Sequence, residues 1–370
     1  MGGACRSTGA RRMSEGESIE IRELFKIFGR SSAKYIDAIK DGLSKPELQR
    51  LHGQVLALNN ISISMPAGKI QVIMGLSGSG KSTLIRHINR LVEPTSGSIV
   101  IDGLDILRMR EQELRQFRRN RTAMVFQKFA LLPHRTVIEN VTFGLELRGI
   151  KWAKAREIGM SWIERVGLHG FHARYPHELS GGMQQRVGLA RALSNDASIL
   201  LMDEAYSALD PLIRTDMQTM LLELQSELKK TIVFITHDLD EALRLGDRIV
   251  ILRDGSIVQQ GDSQDIVLRP ADDYIARFVK DVNRGRVIKV DAVMQPAPQK
   301  PDGSLPRIQS GATLETAAKA LTNSTFDRAI ITDRGSRPIG AITLRLITAS
   351  LSSNSEVPLE AAPAPVGAGA

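Results

Sequence analysis

The sequence predicts an α/β fold built on a parallel sheet, followed by a smaller α/β unit. From Ile19 onward short apolar runs alternate with longer helix-period segments, the pattern of parallel strands joined by crossover helices. A glycine-rich turn, Gly75 to Ser82, separates the apolar run Ile70 to Met74 from the helix-period run Thr83 to Leu91. After a stretch rich in Pro, Gly and Gln, at about 284–312, the alternation restarts on a smaller scale.

Composition agrees with a folded chain of 370 residues, room for two domains plus tails. Hydrophobic residues make up 42%, about half with the 31 glycines added, and 24% are charged. Forty-nine Lys and Arg against 41 Asp and Glu give +8, which favours anionic partners without choosing among them. The local cluster Arg108, Arg110, Arg115, Arg118, Arg119 and Arg121 contains one aromatic, Phe117, so it reads as a solvated helix face rather than a nucleic-acid stacking platform. A single cysteine, Cys5, leaves no intrachain disulfide and fits a reducing compartment. No run approaches 18 apolar residues, and the first six residues carry neither the apolar core of a secretory signal nor a myristoylation motif, so they read as a disordered lead-in.

The elements follow in order. Between Gly29 and Val55 a polar, helix-forming segment opens one helix with Ser44-Lys45-Pro46-Glu47, a capping box with proline in the first turn, and reads as an insertion. A helix is expected from Ser180 to about Leu193, and a buried strand over Ile199 to Met202. Over residues 215–229, Met217, Met220, Leu221, Leu224 and Leu228 recur at spacings of three and four, one face of a helix. Thr231 to Thr236 is a buried-strand candidate. Ile249 to Leu252 and Ser256 to Gln259, joined by Asp254-Gly255, read as a hairpin because Asp-Gly tolerates positive φ.

Three segments carry chemistry. Gly75-Leu76-Ser77-Gly78-Ser79-Gly80-Lys81-Ser82, followed by Thr83, fits G-x-x-x-x-G-K-[ST] in the strand-to-helix context that the motif needs. Its glycines let backbone N–H groups converge on phosphate oxygens, Lys81 reaches the β- and γ-phosphates, and Ser82 is placed to ligate Mg²⁺ beside ATP. The strand at 199 ends in Asp203 and Glu204, placing one carboxylate near a metal and the other where it polarises a water. Leu179-Ser180-Gly181-Gly182-Met183-Gln184-Gln185-Arg186 is a second anion-binding helix start. His169, His172 and His177 lack an acid or thiol at ligand spacing and read as polar loop residues.

At this point the residues carry a resemblance. Over most of 20–283 the chain resembles the ATP-binding cassette of ABC transporters, Ser180 to Gln184 matching that family's signature motif with methionine at 183 where glutamine is common. The resemblance implies a cassette with a RecA-like core, an antiparallel β subdomain and a helical signature subdomain. It assigns Phe28 as the aromatic on adenine, Gln127 as the Q-loop glutamine on the metal side with Ser82 and Asp203, Ser207 to Asp210 as the D-loop, and His237 as the switch histidine. Catalysis would fall to Glu204, His237 and Lys81. Tyr175-Pro176, Glu178 to Met183, Gln185 to Ala192, Met202 to Ala205 and Ser207 to Arg214, with Gly42-Leu43-Ser44-Lys45, narrow the resemblance to the ATPase subunits of glycine betaine/proline importers. Two anion-binding helix starts in one cassette then make sense in a head-to-tail homodimer, each ATP between 75–83 of one copy and Ser180, Gly181, Gly182 and Met183 of the other.

Residues 287–350 resemble one CBS motif, in Val290 to Met294, Thr313 to Leu321, Ala329 to Asp333 and Ile339 to Thr343. Such motifs work in pairs, so a second subunit would supply the partner. The expected division is 1–18 disordered, 19–284 cassette with an insertion at about 30–54, 285–351 a CBS-like regulatory or dimerisation domain, and 352–370 disordered tail. The implied partners are an integral membrane permease, a periplasmic or extracellular substrate-binding protein and a second copy, at the cytoplasmic face of the bacterial inner membrane, with no nucleic acid. The rival reading is a soluble ABC ATPase acting on nucleic acid or ribosomes. It lacks cysteines for a zinc module and has only about fifty residues between Gln127 and Ser180, too few for a coiled-coil arm. A phosphate-loop kinase does not explain Ser180 to Gln184.

Overall fold

A computed structural model describes residues 15–127, 130–297 and 304–351. The ends expected to be disordered fall outside the described residues at 1–14 and 352–370. Residues 15–18 depart from that expectation. Gly16 N–H donates to the Lys229 carbonyl (3.1 Å), Thr231 Oγ1 donates to the Glu17 carbonyl (2.7 Å), and Glu17 pairs with Arg121 at 3.2 Å. Those bonds satisfy backbone that a free lead-in would leave to water.

Strand Ile70–Met74 is buried at every position, as a strand covered on both faces must be. It lies inside a six-stranded sheet with the spatial order Ser256–Gly261, Arg248–Arg253, Ile70–Met74, Thr231–Thr236, Ile199–Asp203, Thr122–Phe126. The pairings from Arg248–Arg253 through Thr122–Phe126 are all parallel, with Ile73 opposite Ile235 and Val250, and Asp203 opposite Ile235 and Phe126. Asp254 and Gly255 take φ of 52° and 86°, the left-handed pair that the Asp-Gly turn predicts. Parallel order brings Gly75, Gln127, Glu204 and His237 to the same carboxyl edge of the sheet, where such folds bind ligands.

A second, antiparallel sheet runs Val55–Met65, Ile19–Phe28, Ser96–Ile101, Leu104–Asp105. Between the sheets lies the main core, where Ile19, Ile61 and Ile99 meet Leu84, Ile85 and Ile88 of helix Lys81–Ile88, with Leu201 and Val233 behind. That helix starts two residues earlier than its periodicity indicates, because Gly80 in the left-handed region sets its N-cap. It ends at Ile88 rather than Leu91, with Arg90 at φ 51°. Helix Pro211–Leu228 likewise starts ahead of its apolar stripe, since Asp210 accepts from the backbone N–H of Leu212 and Ile213 and proline opens the first turn. The arginine cluster is solvated as expected, while Phe117 is buried in the core. Arg118 and Arg121 differ: both are half-buried, Arg118 bonding the carbonyls of Asn89 and Arg90 and Arg121 pairing with Glu17.

His87, on the buried face of Lys81–Ile88, is fully inaccessible, and its Nδ1 lies 2.6 Å from the Thr83 carbonyl. Burial pushes its pKa below the ordinary value, so the folded chain holds it neutral. A folded pKa below the unfolded one means that the unfolded chain binds the extra proton first; the His87 contribution is intact above about pH 6.5 and is lost as pH falls below it. We therefore predict that the urea midpoint of the wild type falls between pH 7 and pH 5 more steeply than that of His87→Gln. Equal slopes would contradict this.

Helices Val137–Leu147, Trp152–Arg165 and Gly181–Ser194 pack on one another as a helical group. The insertion forms a short 3₁₀ turn, Ser32–Tyr35, and helices Ile36–Lys40 and Lys45–His52. Its Ile36, Ile39 and Leu48 form a small separate core with Phe25, Ile27 and Leu56. The capping box at Ser44 and Glu47 is present, as predicted.

The chain divides into two units after Gln260, whereas the composition shift placed a boundary near 285. The difference has a packing cause. Helix Ser263–Leu268 packs against Arg284–Val287, which packs against helices Leu314–Thr322 and Leu344–Leu351 of the second unit. That unit holds a four-stranded sheet in the order Gln295–Pro296, Pro338–Thr343, Arg328–Thr332, Arg307–Gln309. Its last pair is parallel and the two preceding pairs are antiparallel.

Candidate nucleotide site

The loop after strand Ile70–Met74 folds only with glycine at two places. Gly75 has φ 153°, and a Cβ there would lie 2.2 Å from the Leu252 carbonyl oxygen. Gly80 has φ 102°, and its Cβ would meet the Ala57 carbonyl at 2.7 Å. Both backbone conformation and space demand glycine, which lets the loop close tightly around an anion. We predict that Gly80→Ala lowers stability by about 1–3 kcal/mol through backbone strain, read as a lower urea midpoint. An unchanged midpoint would show that the loop relaxes freely.

Lys81 opens the helix beyond the loop and is only 4% exposed. Its Nζ donates to the carbonyls of Gly75 (2.8 Å) and Leu76 (3.1 Å) and lies 3.6 Å from Glu204 Oε1. Ser82, the next residue, donates its hydroxyl to Asp203 Oδ1 at 2.8 Å. Arg86, one helical turn on from Ser82, places its guanidinium 3.9 Å from Asp203 Oδ2.

Glu204 sits just beyond strand Ile199–Asp203 at φ 47°, a left-handed conformation that costs a non-glycine residue roughly 1–2 kcal/mol. Its N–H donates to the Ile235 carbonyl at 3.1 Å, which holds the turn in place. The carboxylate then reaches Gln127 Nε2 (3.4 Å) and His237 Nδ1 (3.6 Å) as well as Lys81. Gln127 also donates to Ser207 Oγ at 3.2 Å, linking strand Thr122–Phe126 to the turn after Glu204.

A cavity of about 260 Å³ opens at Lys81, Ser82 and Glu204 and is lined further by Phe28, Val55, Leu56, Ala57, residues 77–78, Gly80, Thr83 and Lys45. Phe28, half exposed, supplies a flat apolar wall, and the Lys26 ammonium lies over its ring, 4.8 Å from the centroid. Ser82, Asp203 and the Gln127 amide are all oxygen donors, the chemistry of a hard cation such as Mg²⁺ bound alongside phosphates. Among the described residues there is no cluster of three or more His, Cys, Asp or Glu that could hold a metal ion.

Other expected site residues lie apart from this cluster. Ser180 caps helix Gly181–Ser194 by accepting from the Met183 N–H at 3.3 Å. Gln184 turns inward, its Nε2 donating to the carbonyls of Pro176 (3.0 Å) and Leu179 (3.2 Å), so its amide braces the loop before the helix. None of Ser180 to Gln184 lines the cavity, and Asp210 serves its own helix cap. Sequence reasoning missed Arg86 and Lys45. Arg86 has a signal in its i,i+4 spacing from Ser82, whereas Lys45 has none near the motif.

Comparison with known proteins agrees with this geometry. Residues 58–207 match the family described as ABC transporter. The chain is 51% identical over 279 residues to the glycine betaine transport ATP-binding protein OpuAA of Bacillus subtilis, covering 75% of this chain and 67% of that protein. It is 45% identical over 334 residues to the glycine betaine/proline betaine transport system ATP-binding protein ProV of Escherichia coli, covering 90% and 82%. Among solved structures, the dimeric ATP-binding cassette MJ0796 in a post-hydrolysis state bound to ADP and Pi matches with TM-score 0.57 and 30% identity, over 66% of this chain and 98% of that one. No helix among the described residues is long and apolar enough to cross a membrane. With the phosphate loop, the paired carboxylates and the signature helix all in this order, the chain belongs to the ABC transporter ATP-binding subunits, in the group that includes those of glycine betaine and proline betaine systems.

Proposed function

We propose that this chain hydrolyses ATP to drive import of a quaternary amine, glycine betaine, proline betaine or choline, through a separate permease fed by a substrate-binding protein. The observation that carries the reading is Glu204, placed within 3.4–3.6 Å of Lys81, Gln127 and His237 at the mouth of the phosphate loop. Lys81 and the loop N–H groups hold the β- and γ-phosphates, and Phe28 supports the base. Glu204 orients the attacking water and accepts its proton, while His237 and Gln127 fix the carboxylate and contact the γ-phosphate end. Mg²⁺, when bound with ATP beside Ser82, Asp203 and Gln127, supplies charge neutralisation to the phosphates.

Ser180 to Met183 lie outside this cavity, on a helix start whose N–H groups suit an anion. That placement supports a head-to-tail pair in which each signature helix completes the partner's site. The second unit follows a strand, helix, strand, strand, helix order over Arg307–Gln309, Leu314–Thr322, Arg328–Thr332, Pro338–Thr343 and Leu344–Leu351, which supports a single CBS-like motif paired with that of the second copy. Attachment to the permease would place the chain at the cytoplasmic face of the inner membrane.

The test is uptake of labelled glycine betaine, proline betaine and choline, at low and high salt, in cells carrying the cognate permease with wild type or Lys81→Ala at equal levels. We expect uptake of at least one solute with the wild type and its loss in the variant. Equal uptake of all three in both strains would contradict the assignment.

A further inference from the structure

A second lysine lines the nucleotide cavity, and it comes from the insertion. Lys45 is the first residue of helix Lys45–His52, in the segment between strands Ile19–Phe28 and Val55–Met65, and it shares the cavity wall with Phe28, Val55 and Leu56. Its position is fixed by packing. Leu48, one turn further on, is fully buried among Phe25, Ile27, Ile36, Ile39 and Leu56, so the helix is anchored to the strands that carry Phe28 and Val55.

The charge at this place is unfavourable for the helix itself. The N-terminal end carries the positive pole of the helix dipole, where acids stabilise and a cation is repelled. Glu47, the acid of the first turn, directs its bonding to Ser44, receiving the N–H at 3.0 Å and the hydroxyl at 2.6 Å. Lys45 finds Asp254 at 4.0 Å, the outer limit of an ion pair, with the Asp254 side chain 82% exposed, so water screens that contact. A cation kept at the wrong helix end, weakly compensated and 29% exposed on the wall of an anion-binding cavity, has a local cost and a site to account for it.

We propose that Lys45 is a nucleotide-binding residue, donating from the insertion to the ribose and α-phosphate part of the nucleotide, and that Asp254 competes for the same ammonium. The γ-phosphate end is marked by Lys81 and Glu204, with Gln127 and His237 beyond. Lys45 instead enters the cavity on the helix that Leu48 anchors to the strands carrying Phe28, Val55 and Leu56, which supply the apolar surface suited to a base. Its contact therefore falls on atoms that ATP and ADP share. The insertion thereby adds a cation to a site otherwise lined by the phosphate loop, Glu204 and the apolar residues Phe28, Val55, Leu56 and Ala57. This proposal rests on the reading of the cavity as the ATP site.

Calorimetric titration of the full chain with ATP and with ADP tests it. Loss of one charge-assisted donor in Lys45→Ala should weaken both nucleotides equally, by about tenfold. Lys45→Arg should restore most of the affinity, and Asp254→Asn should tighten both nucleotides about twofold by removing the competing carboxylate. In steady-state hydrolysis Lys45→Ala should raise KM with kcat unchanged, a split that a merely structural role would not give. Wild-type affinity for both nucleotides in Lys45→Ala would overturn the proposal while leaving the site assignment intact. Weakening of ATP alone would overturn it too, moving Lys45 to the γ-phosphate. A wild type that binds neither nucleotide would overturn the site assignment and the proposal together.

Discussion

Glu204→Gln is expected to lower steady-state ATP hydrolysis at least about a hundredfold, because a positioned general base contributes about 10²–10⁴. Glutamine keeps the size and the reach to Gln127 and His237 but cannot take the proton from water. It also removes the negative charge 3.6 Å from Lys81, leaving that ammonium free to bind phosphate at least as tightly as before. The expected result is therefore a selective loss: phosphate release falls while ATP affinity holds or rises. A hydrolysis rate within tenfold of the wild type would remove Glu204 from the role of base and direct attention to Asp203 or His237.

The second large effect is expected from Lys81→Ala. This ammonium is buried, and its two carbonyl acceptors, Gly75 and Leu76, shape the loop around it. Truncation removes the one side-chain cation of residues 75–82 and leaves two carbonyls short of a donor. A hydrogen bond to a charged group is worth about 1.5–3 kcal/mol, so the loss of two or more such contacts to phosphate should weaken ATP binding by about two orders of magnitude or more. Arginine should not rescue it, since a planar guanidinium cannot fit the space of a compact ammonium between those two carbonyls. Titration of the variant with ATP checks this, and a Kd within fivefold of the wild type would contradict it.

Much of the site was legible because its chemistry sits at strand ends. Gly75 to Ser82 follows a run of five buried residues, and Asp203 and Glu204 close another, so pattern and polarity change together at the functional edge. What the sequence could not supply is the order of the strands. Ile70–Met74 pairs with Thr231–Thr236 and Arg248–Arg253, more than 150 residues on, and no local propensity encodes that pairing. The same non-local packing brings Lys45 to the cavity, since helix Lys45–His52 reaches it only through the small core under Leu48. Backbone strain at Glu204 was also hidden: a positive φ is foreseeable at Gly80 and not at a glutamate. The division after Gln260 was hidden for a related reason, as the short helices at 263–268 and 273–279 show no composition shift and declare their unit only by packing.

In the proposed assembly two copies share each ATP, the phosphate loop of one facing the signature helix of the other. Sedimentation velocity of Glu204→Gln, with and without ATP and Mg²⁺, tests it most directly, because slow hydrolysis preserves the assembled state. The expected result is a shift to a dimer that depends on ATP and is abolished when Ser180→Arg is added to the same chain. A chain that binds ATP stoichiometrically yet sediments identically with and without it would contradict the shared site.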